Sequence, residues 1–195
     1  MIDLYNGVRE TAAMTQMSHN CIVLKTSEYL NKETNTKSTT EPLIYEAFPN
    51  INNIQRADLL VKAQDGHFIP QTGFFDVMTK VVTAPHTQQA RTAARTKATR
   101  EGIVDIIKIT NLEIQAALQV GFDSKLYKYR NAINMGIKIK PLIISAGGTL
   151  HQAYQKFIRE AIPNNDMRNG LIMDMSIYLA RRRAQLYNAK VSDYE

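Results

Sequence analysis

A single cysteine, Cys21, in 195 residues leaves no internal disulfide and no cysteine-rich zinc site. That usage predicts an intracellular context. No apolar run reaches the roughly 18 residues of a membrane span, so no membrane partner is expected. No leader is read at the start, where Arg9 and Glu10 interrupt the apolar residues. Internal repeats are absent. The nearest approach to low complexity is NKETNTKSTT, Asn31 to Thr40, which is polar and without apolar anchors and reads as a loop.

What is present suits one globular domain spanning residues 1–195, because 44% apolar content over this length can close a sizeable core. The net charge is +6, and the cations are clustered. ARTAARTKATR, Ala90 to Arg100, holds Arg91, Arg95, Lys97 and Arg100 with no acid. Lys125, Lys128 and Arg130 form a second cluster, and Arg181 to Arg183 a third. Each can be a solvated helix face. Three in one domain favour contact with phosphates, with Arg91, Arg95, Lys97, Arg100 and Arg130 the candidate nucleic-acid contacts.

Residues from about 5 to 30 read as a helix. EPLIYEAF predicts a short strand from Glu41, and Ala57 to Lys62 a second. Asp65-Gly66 predicts a hairpin turn, with Gly73 to Thr83 as the return strand. Thr87 to Asp105 is Ala- and Arg-rich and predicts a helix, part of a basic helical insertion over residues 85–110. Asn111 can cap a helix running to about Asn134. Lys138 to Gly148 reads as a buried strand, Thr149 as the cap of a helix to about Ala161, and Met167 to about Lys190 as a final helix. The fold class is α/β, a mixed sheet of about four strands flanked by helices.

Two aspartates stand out because each interrupts an apolar strand: Asp58 in RADLLV and Asp76 in GFFDVM. A hairpin sets neighbouring strands about 4.8 Å apart, so two such carboxylates can converge on one divalent ion, Mg²⁺ or Mn²⁺. Glu41 can supply a third. Either aspartate can equally be a satisfied edge residue. In KLYKY, Lys125 shares a helix face with Lys128 and Tyr129. A lysine aimed at a metal–phosphate centre stabilises the transition state. The same spacing also suits an exposed basic face. His19 can be a ligand or proton carrier, or simply structural.

The order MSHNCIVL, TEPLIY, RADLLV, GFFDVMTKVVTAP, KLYKY and KIKPLIISAGGTL, from about His19 to Tyr187, resembles the restriction-endonuclease-like domain of non-LTR retrotransposon reverse transcriptases. The resemblance covers the site-specific elements and the Entamoeba LINE type. It implies a PD-(D/E)xK core that nicks target DNA with Mg²⁺ or Mn²⁺, leaving a 3′-hydroxyl that primes reverse transcription. The domain would be part of a larger polypeptide working on nuclear DNA. It assigns Asp58 and Asp76 as metal ligands, Lys125 and Lys128 as displaced catalytic lysines and Tyr129 as their neighbour. The sequence departs from the family at Ala57, where proline is usual, and at Met78, where a lysine is usual. The upstream zinc knuckle is missing. Those departures motivate a second expectation, a decayed nuclease fold acting as a nucleic-acid-binding module. A structural or protein-interaction domain is a third.

Overall fold

In the computed structural model the described residues are 12–32, 36–42, 44, 56–63 and 73–192. Among them the chain forms α1 (Ala12–Lys32), β1 (Thr36–Thr40), β2 (Leu59–Ala63), β3 (Gly73–Lys80), α2 (Gln88–Arg100), α3 (Ile106–Lys128), α4 (Arg130–Asn134), β4 (Ile139–Ser145), α5 (Gln152–Ala161) and α6 (Asn165–Ser192), with a 3₁₀ turn at Pro85–Thr87. The predicted Asp65-Gly66 turn and most of EPLIYEAF lie outside the described residues.

The four strands form one mixed sheet in the order β1-β2-β3-β4. β1 and β3 are antiparallel to β2, whereas β4 runs parallel to β3 and is reached through the helical crossover α2–α4. Strand alternation builds a core on each face. Leu59, Val61, Phe75 and Val77 pack with Leu142 and Ile144 against α1, α5 and α6. On the other face Phe74 and Ile139 pack with Tyr129, Ala132 and Ile137.

β1 corrects the reading of residues 31–40 as a loop. Its sequence, TKSTT, has no apolar anchor, but Thr36 and Ser38 are buried and satisfied. Thr36 donates its hydroxyl to the Leu30 carbonyl. Ser38 Oγ lies 2.7 Å from Ser27 Oγ, and the Ser38 N–H donates to Asn31 Oδ1 at 2.7 Å. A polar strand is therefore stable here because α1 presents polar groups to it. No strand begins at Glu41, where the chain bends.

The helices differ from expectation mainly at their caps. α2 ends in a Schellman motif: Gly102 takes φ 73°, its N–H reaches the Thr99 carbonyl at 3.1 Å and that of Ile103 the Ala98 carbonyl at 3.0 Å. Asp105, not Asn111, caps α3, accepting from the N–H groups of Ile107 (2.9 Å) and Lys108 (3.2 Å). His151, not Thr149, caps α5 through Nδ1, 3.2 Å from the Ala153 N–H. α3 breaks at Tyr129, so the predicted single helix to residue 134 is two. Gly121 lets α3 lie close on the sheet, since a Cβ there would meet Ile143 Cγ2 at 3.4 Å and Lys80 Cδ at 3.5 Å. That approach brings the last turn of α3 over β3.

Candidate active site

The β2–β3 register pairs Leu59 with Phe75 and Leu60 with Phe74, so one step further sets Asp58 opposite Asp76. Asp58 stands at the notch where β2 begins and β3 runs on. Its N–H donates to the Phe75 carbonyl at 3.0 Å. Its Oδ2 accepts from the Val77 N–H at 2.5 Å, so the side chain completes the ladder. Its Oδ1 lies 3.1 Å from His19 Nε2 on α1.

Asp76 projects toward the end of α3 and is almost fully buried. A buried carboxylate requires partners, and they come from KLYKY. Lys125 Nζ lies 2.5 Å from Oδ2 and Lys128 Nζ 3.8 Å from Oδ1. The Tyr129 hydroxyl is 2.5 Å from Oδ1 and 3.1 Å from the Arg56 carbonyl, and accepts from Lys128 Nζ at 2.8 Å. Burial, then the charges of Asp76 and Asp58, holds the Tyr129 phenol well above its ordinary pKa, so it stays a donor. Among the described residues Oδ2 of Asp76 has no well-formed hydrogen bond, and the Lys125 ammonium alone compensates it.

His19, Asp58, Glu41 and Thr40 line a cleft of about 100 Å³ beside this cluster. Glu41 sits there at φ 51°, a left-handed conformation that is unfavourable for a residue with a Cβ. Its N–H bonds the Asp58 carbonyl at 3.0 Å, while its exposed carboxylate lies 3.8 Å from Arg56 Nη1. Glu41 thus bonds Asp58 through its backbone. Among the described residues no three His, Cys, Asp or Glu side chains gather closely enough to hold a metal, so Glu41, Asp58 and Asp76 do not form a three-carboxylate cage. The donors present still suit a hard cation. Mg²⁺ takes one or two carboxylates and completes its shell with water and phosphate, and Asp76 Oδ2 is a buried oxygen already facing a cation.

The candidate phosphate contacts are dispersed. Arg95 is not free for phosphate, because its guanidinium grips the buried Glu113 through Nε (2.6 Å) and Nη2 (3.2 Å). Arg91 reaches Gln88 at 3.3 Å, and Lys97 lies 3.9 Å from Glu101. Arg100 is exposed. Arg130 stacks on Tyr127 at 4.1 Å, on the rim near Lys128. On α6 Met173 is 59% exposed, whereas Met175 is buried. His86 pairs with the buried Lys80, Nε2 to Nζ 2.5 Å, and burial lowers the Lys80 pKa.

Glu113 was missed by sequence reasoning, though a signal existed: Arg95 and Glu113 each lie nine residues from Val104, at the turn marked by Gly102 and Asp105. Arg56 was missed as a partner of Tyr129 because it acts through its backbone carbonyl. No protein-family model matches the chain, and no curated protein matches it.

Proposed function

We propose that the cluster at Asp58, Asp76, Lys125, Lys128 and Tyr129 is the active site of a metal-dependent DNA endonuclease with a PD-(D/E)xK core. One observation carries the reading: among the described residues the buried Asp76 Oδ2 meets only an ammonium, Lys125 Nζ at 2.5 Å, beside a second carboxylate at the start of the neighbouring strand. A carboxylate buried in mid-strand against lysines is an arrangement that serves phosphodiester chemistry better than stability, since buried ion pairs seldom stabilise.

Asp58 and Asp76 would hold the Mg²⁺ or Mn²⁺ ion. When bound, such an ion offsets charge on the phosphate and makes bound water acidic enough to attack. Lys125, released from Asp76, turns its ammonium to the scissile phosphate and stabilises the added charge. Tyr129 fixes the Asp76 carboxylate through its hydroxyl, and Lys128 holds that hydroxyl from the rim. His19, partly exposed to the cleft and 3.1 Å from Asp58 Oδ1, holds that carboxylate in place. The resemblance to non-LTR retrotransposon domains supports DNA as substrate, a nick with a 3′-hydroxyl that primes reverse transcription, and a place in a larger reverse-transcriptase polypeptide.

A second reading, a decayed nuclease that only binds nucleic acid, is favoured by one observation. Lys125 and Tyr129 already occupy both Asp76 oxygens, and no three-ligand group accompanies them among the described residues. A Mn²⁺ titration on supercoiled plasmid separates the two. The endonuclease reading expects nicking by the wild type, none by Asp76→Ala, and similar gel retention by both. Full nicking by Asp76→Ala removes the mechanism, and salt-sensitive retention without any nicking leaves the binding module.

A further inference from the structure

α2 and α3 form an antiparallel helical hairpin, and α2 packs on α3 and on the 3₁₀ turn. Beyond Ala98 no residue is buried until Glu113, so the far end of the hairpin stands clear of the core. That end is apolar. Val104 is 93% exposed, Ile107 71% and Ile106 64%. Three large aliphatic side chains so exposed at one turn are unusual for a folded chain and mark an interaction site.

The charges around the tip identify what covers it. Asp105 spends its carboxylate on the α3 N-terminus, and Glu101 lies 3.9 Å from Lys97. Arg100 and Lys108 flank the tip, exposed and without an ion pair among the described residues. A small apolar point with a cationic collar complements a polyanion with an apolar interior, which describes stacked nucleic-acid bases. Isoleucine and other aliphatic side chains are the wedges that enter base steps in proteins that kink DNA. Three side chains expose far less than the about 800 Å² that each partner buries in a stable protein interface.

We propose that the α2–α3 tip is a wedge that inserts Val104, Ile106 and Ile107 between bases of the nucleic acid held at the candidate site. The inference rests on the nucleic-acid reading above and adds a distance to it. α3 is one continuous helix with the tip at its start and Lys125 near its end. The 19 steps from Ile106 to Lys125 span about 28 Å at 1.5 Å each. That is about eight base pairs at 3.4 Å each. The helix therefore acts as a ruler, placing the disturbed step about eight base pairs from the reacting phosphate.

The test uses a duplex of about 30 base pairs carrying 2-aminopurine at every fourth adenine, which reports unstacking in any register. Wild type is expected to raise the fluorescence at least twofold. The variant Val104→Ser/Ile106→Ser/Ile107→Ser, altered only at exposed positions, is expected to lose that rise while shifting the duplex with affinity reduced less than tenfold. On nicked plasmid, permanganate-reactive thymines should fall about eight base pairs from the nick. An equal fluorescence rise in both proteins overturns the wedge. So does a triple variant that keeps duplex unstacking but loses binding to phosphatidylserine vesicles or loses self-association in sedimentation. If wild type fails to shift the duplex even at low salt, the nucleic-acid reading itself fails, a result distinct from binding without unstacking.

Discussion

Removing one oxygen atom, Tyr129→Phe, tests the geometry of the site most directly. The ring is buried and stays, so the change deletes only the hydroxyl. Three groups touch that hydroxyl. The Arg56 carbonyl at 3.1 Å belongs to an exposed residue, and Lys128 is half exposed, so water can serve both after the change. Asp76 is different: its side chain is 3% exposed, and Oδ1 loses its 2.5 Å donor. A hydrogen bond to a charged group contributes about 1.5–3 kcal/mol, so the expected loss is about 2 kcal/mol. For a chain of this size that lowers the melting temperature by about 4–8 °C. The same change made in an Asp76→Asn background removes a bond to a neutral acceptor, worth about 1 kcal/mol. A double-mutant cycle followed by urea denaturation and circular dichroism should therefore give a coupling of about 1 kcal/mol between the two positions. A Tyr129→Phe cost under about 0.5 kcal/mol, or an equal cost in both backgrounds, refutes the bond between the phenol and the carboxylate. Plasmid nicking by Tyr129→Phe should fall in parallel, because the carboxylate loses the group that orients it.

Acid sensitivity should trace in part to His151. Its Nδ1 accepts from the Ala153 N–H, and Nε2 lies 2.9 Å from Gln119 Oε1, so the folded state uses the neutral ring. Burial lowers its pKa below the ordinary 6.5, an effect only partly opposed by Asp123. Below pH 6.5 the unfolded chain then binds more protons than the folded one, and stability falls with acid through that window. His151→Asn keeps a capping acceptor that does not titrate, so its urea midpoint should decline less than that of wild type between pH 7 and 5; parallel declines would exclude His151 as the cause. Arg95 and Arg100 should separate by readout. Arg95→Gln strands the buried Glu113 carboxylate and should lower the melting temperature, whereas Arg100→Gln should leave melting unchanged and reduce the salt dependence of DNA retention. The opposite pattern would refute the assignment of Arg95 to the fold.

The parts of the molecule legible in its sequence are those where local pattern and tertiary demand agree. GFFDVMTK and IKPLIIS are dense in β-branched and apolar residues, and both are strands buried on two faces. TKSTT is rich in β-branched threonine but has no apolar side chain. It becomes a strand because Ser27, Leu30 and Asn31 on α1 satisfy its hydroxyls and backbone, a pairing invisible until the helix is laid over the sheet. The caps failed for a related reason. Asp105, read as the end of one helix, caps the next instead of Asn111, because Gly102's left-handed φ ends α2 early and leaves Asp105 to begin α3. The same turn determines what Arg95 does: in a run of cations it reads as one more phosphate contact, yet the hairpin folds it onto Glu113.

The candidate site divides along the same line. That Asp58 and Asp76 belong to neighbouring strands is legible in their apolar runs, and KLYKY declares its shared face by spacing; the register that sets the two opposite is not, since a tight turn at Asp65-Gly66 would set Asp58 against Gly73. What spacing could not give is the division of labour between the two carboxylates. Asp58 is held in the plane of the sheet by Val77 and His19, four contacts of fixed geometry counting its own N–H and carbonyl. Asp76 is held by three side chains from one helix end, two of them lysines on long flexible stems. The first carboxylate is therefore rigid, and the second has partners that can move. A site that must admit a cation and a phosphate needs that asymmetry, because Lys125 can leave Asp76 without disturbing a strand, whereas releasing Asp58 would open the ladder itself.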